Sequence, residues 1–523
     1  MYLSPIVSII PIDKNGNPLF SKVSLSSLFN QNKNMKIDNQ LKNCELVLGI
    51  VAPVGVNLDD VQNRLESFFN QFLYEFHFIH ISKLGQPYIE APLPNLTELQ
   101  RLDNGMNNGR FLRNKFKRGD FYALLAIKAI NQKRASINGK TRLLKRYAHV
   151  IRSLKHPTEV ETLRRVYGDG FFLLGVSSSI ESRKYYLKNI KGVPEEEIDR
   201  LISRDDKEAG DFGQRTRDVF QLADAFVTTD DTARLSEQLS RILDLLFAAP
   251  VVSPTADEYA MFMAYAASLR SADLSRQVGA VISNVYNDII ATGANDVPRF
   301  GGGLYWPTDE DQRDYVLGKD SNEMEKREIT LRIMKKLEPN SQKNDEYLIA
   351  EGKKILSDTG VLNISEYGRA VHAEMEAIIS AARNGISIRG STLYSTTYPC
   401  HNCAKHIVAA GISKVRYIEP YPKSYAIKLH EDSIEANGRG ESKKVQFEAF
   451  VGIGPRRFVD LFSTSLSSGR KLIRKQDGRL VEWKRNSAEL RVPMIPLSYL
   501  EAETCAVEEL NEVLRHISNE ILS

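Results

Sequence analysis

The stretch TLYSTTYPCHNCAKHIVA, residues 392–409, decides how this part of the chain folds. The segment TLYSTT is rich in β-branched and aromatic residues and predicts a strand. The segment from Cys400 onward predicts a helix that stops at Gly411, since glycine is common just past helix ends. Cys400 and Cys403 are three residues apart and therefore share one face at the start of that helix.

A second short motif, HAE at 372–374, opens the segment HAEMEAIISAARNG, which predicts another helix. The motif PCHNC begins 25 residues after Glu374. Two helix starts thus carry metal-binding side chains, and a helix N-terminus favours the thiolate form of cysteine. His372, Cys400 and Cys403 suit Zn²⁺, and three protein ligands leave the fourth position open for water. An open position predicts catalysis, with Glu374 as the base that moves the protons of that water.

Other interpretations of these residues are open. A Cys-x-x-Cys pair can be a thioredoxin-like redox pair, although that motif needs no upstream His-x-Glu. A closed structural zinc site needs a fourth ligand, and Cys44 and Cys505 are remote in sequence. His401 should point off the face of the two cysteines, whereas His406, three residues after Cys403, could compete as a ligand.

The flanking segments predict an alternation of helices and strands. Ala256 to Leu269 predicts a helix, QVGAVIS and DIIATG predict a hairpin across Asn284 to Asn287, and KVRYIEP predicts a final strand. The order is helix, two strands, helix, strand, helix, strand. Residues 296–366 interrupt it with GGG at 301–303 and a charged helical stretch, so we expect an insertion or lid there.

These motifs and this order of elements resemble the zinc-dependent cytidine and deoxycytidylate deaminase superfamily over about residues 254–454. SRQVGAVI, ATGANDVP and LYSTTYPC are similar to the deoxycytidylate deaminase branch in particular. The resemblance implies that His372, Cys400 and Cys403 hold Zn²⁺, that Glu374 carries protons, and that Asn295 binds sugar and base.

Three further positions bear on the substrate. Arg276 and Arg299 are candidate phosphate contacts by position, and an ordinary surface charge is the alternative for each. Tyr398 stands where this family often has serine, so the contact to the base stays open.

The first half contains repeated strand-and-helix units. Glu45 to Val51 predicts a buried strand, and the apolar residues from Leu58 to Phe76 predict an amphipathic helix after it. Phe171 to Val176 and Ala225 to Val227 predict further strands, so we expect a parallel sheet flanked by helices. The segment AAPVVSP, Ala248 to Pro254, predicts the main domain boundary.

The loop from Gly49 to Gly55 is placed like a phosphate-binding loop but lacks its signature. Val56 and Asn57 stand where Lys and Ser or Thr are expected, so the charge and the hydroxyl that hold phosphates and magnesium are missing. Asn57 can cap the next helix instead. A degenerate, structural loop and retained nucleotide binding at Gly49 and Gly55 are both open.

The first half is also similar to P-loop nucleoside-phosphate kinase-like domains, through LKHPTEVETLRRVYGDGFFLLGV and GQRTRDVFQLADAFV. With the second half, the whole chain resembles the bacterial antiphage deoxycytidine nucleotide deaminases. That resemblance implies conversion of dCTP and dCMP to their uracil forms, which deprives phage replication of a precursor.

Composition limits the partners. The chain has 70 Lys and Arg against 66 Asp and Glu, a net charge of +4 that predicts no stable binding to polynucleotides. No apolar run approaches the roughly 18 residues of a membrane helix, and MYLSPIVSII lacks signal-peptide features. We therefore expect a cytoplasmic protein without a membrane partner. Four cysteines suit a metal site better than a disulfide framework.

We predict an α/β protein with a P-loop-like parallel-sheet domain at 1–250, a cytidine deaminase-like α/β/α domain at 254–454 and a C-terminal extension at 455–523. The predicted reaction is hydrolytic deamination of dCTP or dCMP by a homo-oligomer, in which the first half restrains or licenses the second. An inhibitory partner cannot be named. A housekeeping dCMP deaminase, a polynucleotide-editing enzyme and a non-catalytic nucleotide sensor are the alternatives.

Overall fold

Two six-stranded sheets organise the part of the chain that the computed structural model describes, which is residues 43–89, 95–138, 143–208, 210–308, 310–357, 359–419, 424–436, 443–494 and 496–522. The strands are β1 Leu46–Val51, β2 Glu75–His80, β3 Tyr147–Arg152, β4 Phe171–Ser177, β5 Ala225–Thr228, β6 Gly279–Ser283, β7 Ile289–Ala294, β8 Thr392–Thr397, β9 Lys414–Glu419, β10 Ile434–Ala436, β11 Val445–Ala449, β12 Gly452–Ile453, β13 Lys475–Gln476 and β14 Arg479–Leu480.

Helices cover the faces of the sheets and fill the connections between strands. They are α1 Leu58–Gln71, α2 Ile81–Leu84, α3 Glu98–Lys115, α4 Phe121–Asn138, α5 Pro157–Tyr167, α6 Ile180–Tyr185, α7 Glu195–Asp206, α8 Thr216–Phe220, α9 Thr232–Leu246, α10 Ala256–Ser268, α11 Asp314–Leu317, α12 Ser321–Leu337, α13 Asp345–Ile355, α14 Ala373–Arg383, α15 His401–Ala409, α16 Ala426–Leu429, α17 Pro455–Phe462 and α18 Pro496–Leu522. In the described residues, none of the helices combines the length and the apolar character needed to cross a membrane.

The first sheet has the order β2-β3-β1-β4-β5-β12, and its first five strands are parallel. Every residue of β1 is buried, as expected for a central parallel strand covered by helices on both faces. β1 and β4 are neighbours in the sheet. From β1 the chain continues to β2 and β3 on one side, and from β4 it continues to β5 on the other. Their carboxyl ends therefore form the crevice at which open α/β sheets commonly bind ligands.

Three strands of this sheet, β2, β3 and β12, were not predicted, and one predicted helix is too long. α1 ends at Gln71, because Leu73 adopts a left-handed backbone with φ of 55° and turns the chain. Phe76 consequently lies in β2 rather than on the helix. The apolar spacing from Leu58 to Phe76 continues across this turn by coincidence, so periodicity alone could not place the helix end.

The second sheet has the order β10-β11-β9-β8-β6-β7. β6 and β7 form the predicted antiparallel hairpin, and β8, β9, β11 and β10 run parallel to one another. The predicted order of helix, two strands, helix, strand, helix, strand is confirmed by α10, β6, β7, α14, β8, α15 and β9. Helices α11, α12 and α13 lie in the interruption between β7 and α14.

The two sheets are joined directly. β12 pairs antiparallel with β5 of the first sheet, with Gly452 opposite Phe226. One apolar core also contains residues of both halves, including Phe226, Met261 and Phe450, which are at most 2% exposed. Removing the first half would therefore expose core surface of the second.

The C-terminal helix α18 packs on α4 and α5. Arg134 of α4 is fully buried and its guanidinium pairs with Glu503 of α18 and with Glu45, which precedes β1. The hydroxyl of Tyr499 donates to the same Glu45 carboxylate over 2.9 Å. Buried charges are stable only when they are paired, so this cluster ties the end of the chain to the first sheet.

Candidate metal centre and active site

Two helix starts bring the predicted metal ligands together. His372 is the residue immediately before α14, and Cys400 is the residue immediately before α15, with Cys403 in the first turn. The ligand atoms of these three side chains lie within 4.8 Å of one another. Helix α14 packs on β7 and β6 of the second sheet and against α15, which follows β8, and this packing brings the two helix starts together.

The distances fit a tetrahedral metal ion. His372 Nδ1 lies 3.3 Å from the sulfur of Cys400 and 3.3 Å from that of Cys403. Ordinary zinc–sulfur and zinc–nitrogen bonds at a tetrahedral angle place such atoms about 3.6 Å apart. One imidazole and two thiolates are also the donors that zinc prefers. These residues fit a zinc ion with one coordination position left for a further ligand.

Two nearby histidines do not belong to this group. His406 Nδ1 lies 2.7 Å from the carbonyl oxygen of Asn402 in its own helix. The ring of His401 packs edge-on against Tyr425, with ring centroids 6.0 Å apart. Among the described residues, the candidate metal group consists of His372 and the two cysteines. The competition that the spacing of His406 allowed is thus resolved by tertiary geometry.

The two thiols of the group differ in acidity, because contact with Cys400 and burial raise the pKa of Cys403 well above its usual value. Contact with Cys403 lowers the pKa of the Cys400 thiol to about 4, with a further contribution from the His372 imidazole, although burial acts in the opposite direction. A thiol with such a pKa is a thiolate at neutral pH, which is the form that binds metal. Burial raises the pKa of the Glu374 carboxyl, and the negative charge of Cys400 adds to this. A carboxyl of this kind exchanges protons more readily near neutral pH.

Glu374 lies in the first turn of α14 and is 3% exposed. Its Oε2 lies 3.4 Å from the sulfur of Cys403, and its Oε1 accepts a hydrogen bond from the hydroxyl of Ser395 over 3.2 Å. Ser395 belongs to β8 and is fully buried. Ser395 is not predictable from the sequence, because a serine within a strand carries no signal of its own.

Asn295 and Arg276 lie together at the ends of β6 and β7. The Asn295 amide accepts from the backbone N–H of Val278 over 2.6 Å and donates to the carbonyl oxygen of Arg276 over 2.8 Å. The guanidinium of Arg276 donates to Thr397 over 2.9 Å and pairs with Glu419 over 2.6 Å. Asn295 therefore shapes the loop that carries Arg276.

Arg299 and Tyr398 have different surroundings. Arg299 Nε donates to the carbonyl oxygen of Gly302 over 3.4 Å, in the turn formed by the three consecutive glycines. The ring of Tyr398 packs against Tyr417 and Phe447, with centroids 4.7 and 5.4 Å away. Tyr398 thus contributes its ring to the apolar core under β9 and β11.

Glu419 also links the two halves of the protein. The side-chain amide of Gln221, which follows α8 of the first half, faces the Glu419 carboxylate. With its nitrogen assigned to the position nearest Glu419, it donates to both carboxylate oxygens over 3.1 and 3.2 Å. Since Glu419 pairs with Arg276, a short chain of polar contacts leads from the first half to the loop beside the metal group. Sequence spacing gave no indication of this contact.

The loop after β1 is closed by a side chain of the protein itself. Asp205, at the end of α7, is 1% exposed, and its Oδ2 accepts from the backbone N–H of Val54 over 2.7 Å. Its Oδ1 accepts from Lys155 Nζ over 2.7 Å, and Lys155 also donates to the carbonyl oxygen of Ala52. A carboxylate therefore lies against a loop N–H group of the kind that binds phosphate in P-loops.

The two glycines at the ends of the predicted loop, Gly49 and Gly55, have packing roles. Gly49 lies inside β1, where a Cβ would come within 2.7 Å of the Phe171 ring. Gly55 has φ of 88° and a Cβ there would lie 3.0 Å from Arg183, so this position needs glycine. The side chain of Asn57 caps α1 by accepting from Asp60, as the sequence predicts.

A known protein family matches part of the second half. Residues 254–419 match the family described as the cytidine and deoxycytidylate deaminase zinc-binding region. The deoxycytidylate deaminase of Enterobacteria phage T2 is 54% identical over 54 residues, which are 10% of this chain and 29% of that protein. The deoxycytidylate deaminase of Pongo abelii is 26% identical over 218 residues, which are 41% of this chain and 90% of that protein.

A solved structure of dCMP deaminase from the cyanophage S-TIM5 in apo form shares 19% identity and a TM-score of 0.22, covering 38% of this chain and 100% of that chain. The chain spans less than a third of the phage T2 and T4 deaminases that it matches, 29% and 28%. The family match contains His372, Glu374, Cys400 and Cys403. Residues 254–419 are therefore similar to the zinc-binding region of cytidine and deoxycytidylate deaminases.

Proposed function

We propose that this protein hydrolytically deaminates a deoxycytidine nucleotide, releasing ammonia and the corresponding uracil nucleotide. The observation that carries the proposal is the placement of the Glu374 carboxylate 3.4 Å from Cys403, beside three ligand atoms that lie within 4.8 Å of one another. This arrangement combines a metal group with an adjacent buried proton carrier. The match of residues 254–419 to the deaminase family supports the same chemistry.

The proposed roles follow from the chemistry of the ring. Zinc bound by His372, Cys400 and Cys403 would supply the Lewis acidity that makes water nucleophilic near neutral pH. Glu374 takes one proton from the attacking water and gives it to the ring nitrogen. It then takes the remaining proton of the added hydroxyl, which becomes the carbonyl oxygen, and gives it to the departing amine. Water adds at carbon 4 of cytosine, the bond from carbon 4 to the amino nitrogen breaks, and ammonia leaves.

The decisive experiment compares the wild type with Glu374→Gln. We expect the variant to keep its zinc content and to lose about a hundred- to ten-thousandfold in ammonia release, since this range is typical for loss of a general acid and base. The substrates are dCMP, dCTP, cytidine and single-stranded DNA, each assayed separately. No ammonia from any nucleotide would contradict the proposal and favour the non-catalytic sensor. Deamination of the polynucleotide alone would favour an editing enzyme.

The number of phosphates on the substrate is the next question. dCMP and dCTP both belong to the proposal, and selective use of dCMP would favour a housekeeping role in pyrimidine metabolism. We propose that Arg276 and Arg299 contact phosphate and that Asn295 orients the sugar and base. The pairing of Arg276 with Thr397 and Glu419, at the end of the strand leading to Cys400, supports Arg276 more strongly than Arg299.

We also propose a division into a degenerate P-loop kinase-like domain at 1–250, the deaminase domain at 254–454 and a C-terminal extension at 455–523. The strand order β2-β3-β1-β4-β5 and the loop after β1 support the first assignment. The contact of Gln221 with Glu419 supports control of the second half by the first. Gln221→Ala in the full chain should then change the rate of deamination without changing zinc content, and an unchanged rate would reject this route.

A role in antiphage defence, a homo-oligomeric state and a cytoplasmic location complete the proposal. Their support is the resemblance of the whole chain to the bacterial antiphage deoxycytidine nucleotide deaminases. Bacteria that express the wild type should yield fewer phage plaques than bacteria that express Glu374→Gln at the same level. Equal plaque numbers would reject a defence role based on deamination.

A further inference from the structure

The ends of two neighbouring strands place a carboxylate beside Arg276, the candidate phosphate contact. Thr397 and Glu419 lie opposite each other at the carboxyl ends of the parallel strands β8 and β9. The backbone N–H of Tyr398 donates to the carbonyl oxygen of Glu419 over 2.7 Å. Glu419 is thus tied to the segment that leads into Cys400, at the end of the strands where parallel sheets commonly bind ligands.

The Arg276 guanidinium meets both residues through the same nitrogen. Its Nη2 donates to Thr397 Oγ1 over 2.9 Å and to Glu419 Oε2 over 2.6 Å. The N–H groups of Nε and Nη1 are separate donors, so they can still bind the oxygen atoms of a ligand. The Arg276 side chain is 42% exposed and reaches solvent from this position. A phosphate bound here would share one positive charge with the Glu419 carboxylate.

The loop that carries Arg276 also lies near the metal group. The backbone N–H of Arg276 donates to the Asp273 carboxylate over 3.2 Å, and the charge of Asp273 acts on the imidazole of His372. The carbonyl oxygen of Arg276 accepts from the Asn295 amide. Arg276 and Glu419 are therefore placed to meet the phosphate of a substrate whose base lies at the metal group.

Side chains of the first half act on the same carboxylate. The side-chain amide of Gln221 faces Glu419. Burial raises the pKa of Glu419, and the guanidinium groups of Arg276 and Arg217 oppose this effect. Contacts of this kind favour the ionised form of a carboxyl group, so Glu419 keeps a negative charge beside the ligand at mildly alkaline pH.

We propose that the Glu419 carboxylate limits the number of phosphates on the substrate, because it neutralises Arg276 and repels further negative charge. This inference rests on the proposed deamination of a deoxycytidine nucleotide and on contact between Arg276 and its phosphate. A triphosphate carries more negative charge than a monophosphate, so the repulsion weakens binding of dCTP more than binding of dCMP. Glu419 is thus a specificity-determining residue that acts through a repulsive element.

Glu419→Gln tests the charge by itself, because the amide oxygen can still accept from Arg276. The background is the full-length, zinc-loaded Glu374→Gln protein, which prevents turnover during calorimetry at about pH 8, well above the usual carboxyl pKa. dCMP and deoxycytidine are titrated directly, and dCTP is titrated in competition with dCMP so that only binding at the shared site is measured. We expect Glu419→Gln to lower the Kd of dCMP about threefold and that of dCTP about tenfold, and to leave that of deoxycytidine unchanged.

Two further variants separate charge from structure. Glu419→Asp keeps the negative charge and should keep the wild-type ratio of the dCTP and dCMP Kd values. The matched control Glu448→Gln removes a carboxylate of similar exposure, 20% against 22% for Glu419, from an ion pair with Arg416 on the same sheet. It should leave every Kd unchanged. With Glu374 intact, Glu419→Gln should raise the ratio of kcat/KM for dCTP to that for dCMP about threefold.

Three results would overturn the proposal. They are an unchanged ratio of the dCTP and dCMP Kd values in Glu419→Gln, an equal shift of that ratio in Glu419→Asp, and an unchanged dCMP Kd in Arg276→Gln. Binding of neither nucleotide would remove the proposed function as well, whereas binding with an unchanged ratio removes this inference alone. Thermal unfolding checks that Glu419→Gln is folded. If it is not, Glu419→Ala takes its place with the same expected ratio.

Discussion

The hydroxyl of Ser395 donates a hydrogen bond to Oε1 of Glu374 over 3.2 Å, inside a region that solvent does not reach. Strand β8 supplies the serine and helix α14 supplies the glutamate, so the contact holds a side chain of one element against another. A carboxylate that must move protons between fixed atoms benefits from such a restraint, because small displacements of a catalytic group are costly. In the proposed reaction, Ser395 is therefore a positioning residue for Glu374.

Ser395→Ala should lower kcat for deamination about three- to tenfold, the effect of losing one hydrogen bond of about 1 kcal/mol. KM and zinc content should stay near the wild-type values, because the substituted side chain binds neither substrate nor metal. Steady-state kinetics and metal analysis measure these quantities. Ser380→Ala, on the same helix as Glu374, is the matched control and should leave kcat unchanged. A parallel loss of zinc would reject the positioning role.

Cys403→Ala should lose most of its bound zinc and all measurable deamination. The site offers three protein ligands, and the variant would keep only two of them. Metal analysis by mass spectrometry and ammonia release measure the two effects. Cys505→Ala is the matched control, since Cys505 is exposed and remote in sequence from the metal group. Full zinc retention in Cys403→Ala would show that this sulfur is not a ligand. Prolonged chelation of the wild type should likewise abolish activity, and added zinc should restore it.

Asp205→Asn should destabilise the protein by about 3 kcal/mol, because Lys155 would keep its charge in a largely buried position without its carboxylate partner. Urea unfolding followed by circular dichroism measures the free energy of unfolding. Asp199→Asn, on the same helix, removes an exposed ion pair with Lys184 and should change stability by no more than about 1 kcal/mol. Equal effects of the two substitutions would show that Asp205 does not hold the loop after β1.

The buried carboxyl of Glu45 predicts a pH dependence of stability. Burial alone would raise the pKa of Glu45, but the His149 imidazole and the Arg134 guanidinium lower it from 4.5 to about 2. Since the folded pKa lies below the unfolded one, this stabilisation is complete above about pH 4.5 and is lost as the pH falls towards 2. The loss should be about 3 kcal/mol.

Urea unfolding between pH 7 and pH 2.5 checks this dependence, because this range extends about two pH units below the ordinary pKa of 4.5. Glu45→Gln should be less stable than the wild type at neutral pH and should lack this part of the acid loss. Glu66→Gln, at an exposed position of α1, should follow the wild-type curve. The prediction fails if Glu45→Gln and the wild type lose stability in parallel through the acid range.

Local signals in the sequence were sufficient for the second half. The order of elements from α10 to β9 is confirmed, since alternation, helix stops and the hairpin turn are all set by residues close in the chain. The grouping of the candidate metal ligands was predictable for the same reason. His372 and Glu374 lie at one helix start, and Cys400 and Cys403 lie at the next, with one strand between the two helices. Such pairs have few ways to meet other than around a common ion.

Tertiary structure alone decided the remaining features. β2 and β3 are short segments whose place in the first sheet depends on pairing with distant strands. The contacts of Asp205 with Val54, of Ser395 with Glu374 and of Gln221 with Glu419 join residues 151, 21 and 198 positions apart. Sequence spacing carries no information about such pairs, because side-chain contacts between elements depend on how the elements pack. The sequence therefore determined which chemistry the chain can perform, and packing determined how its two halves and its proton carrier are held.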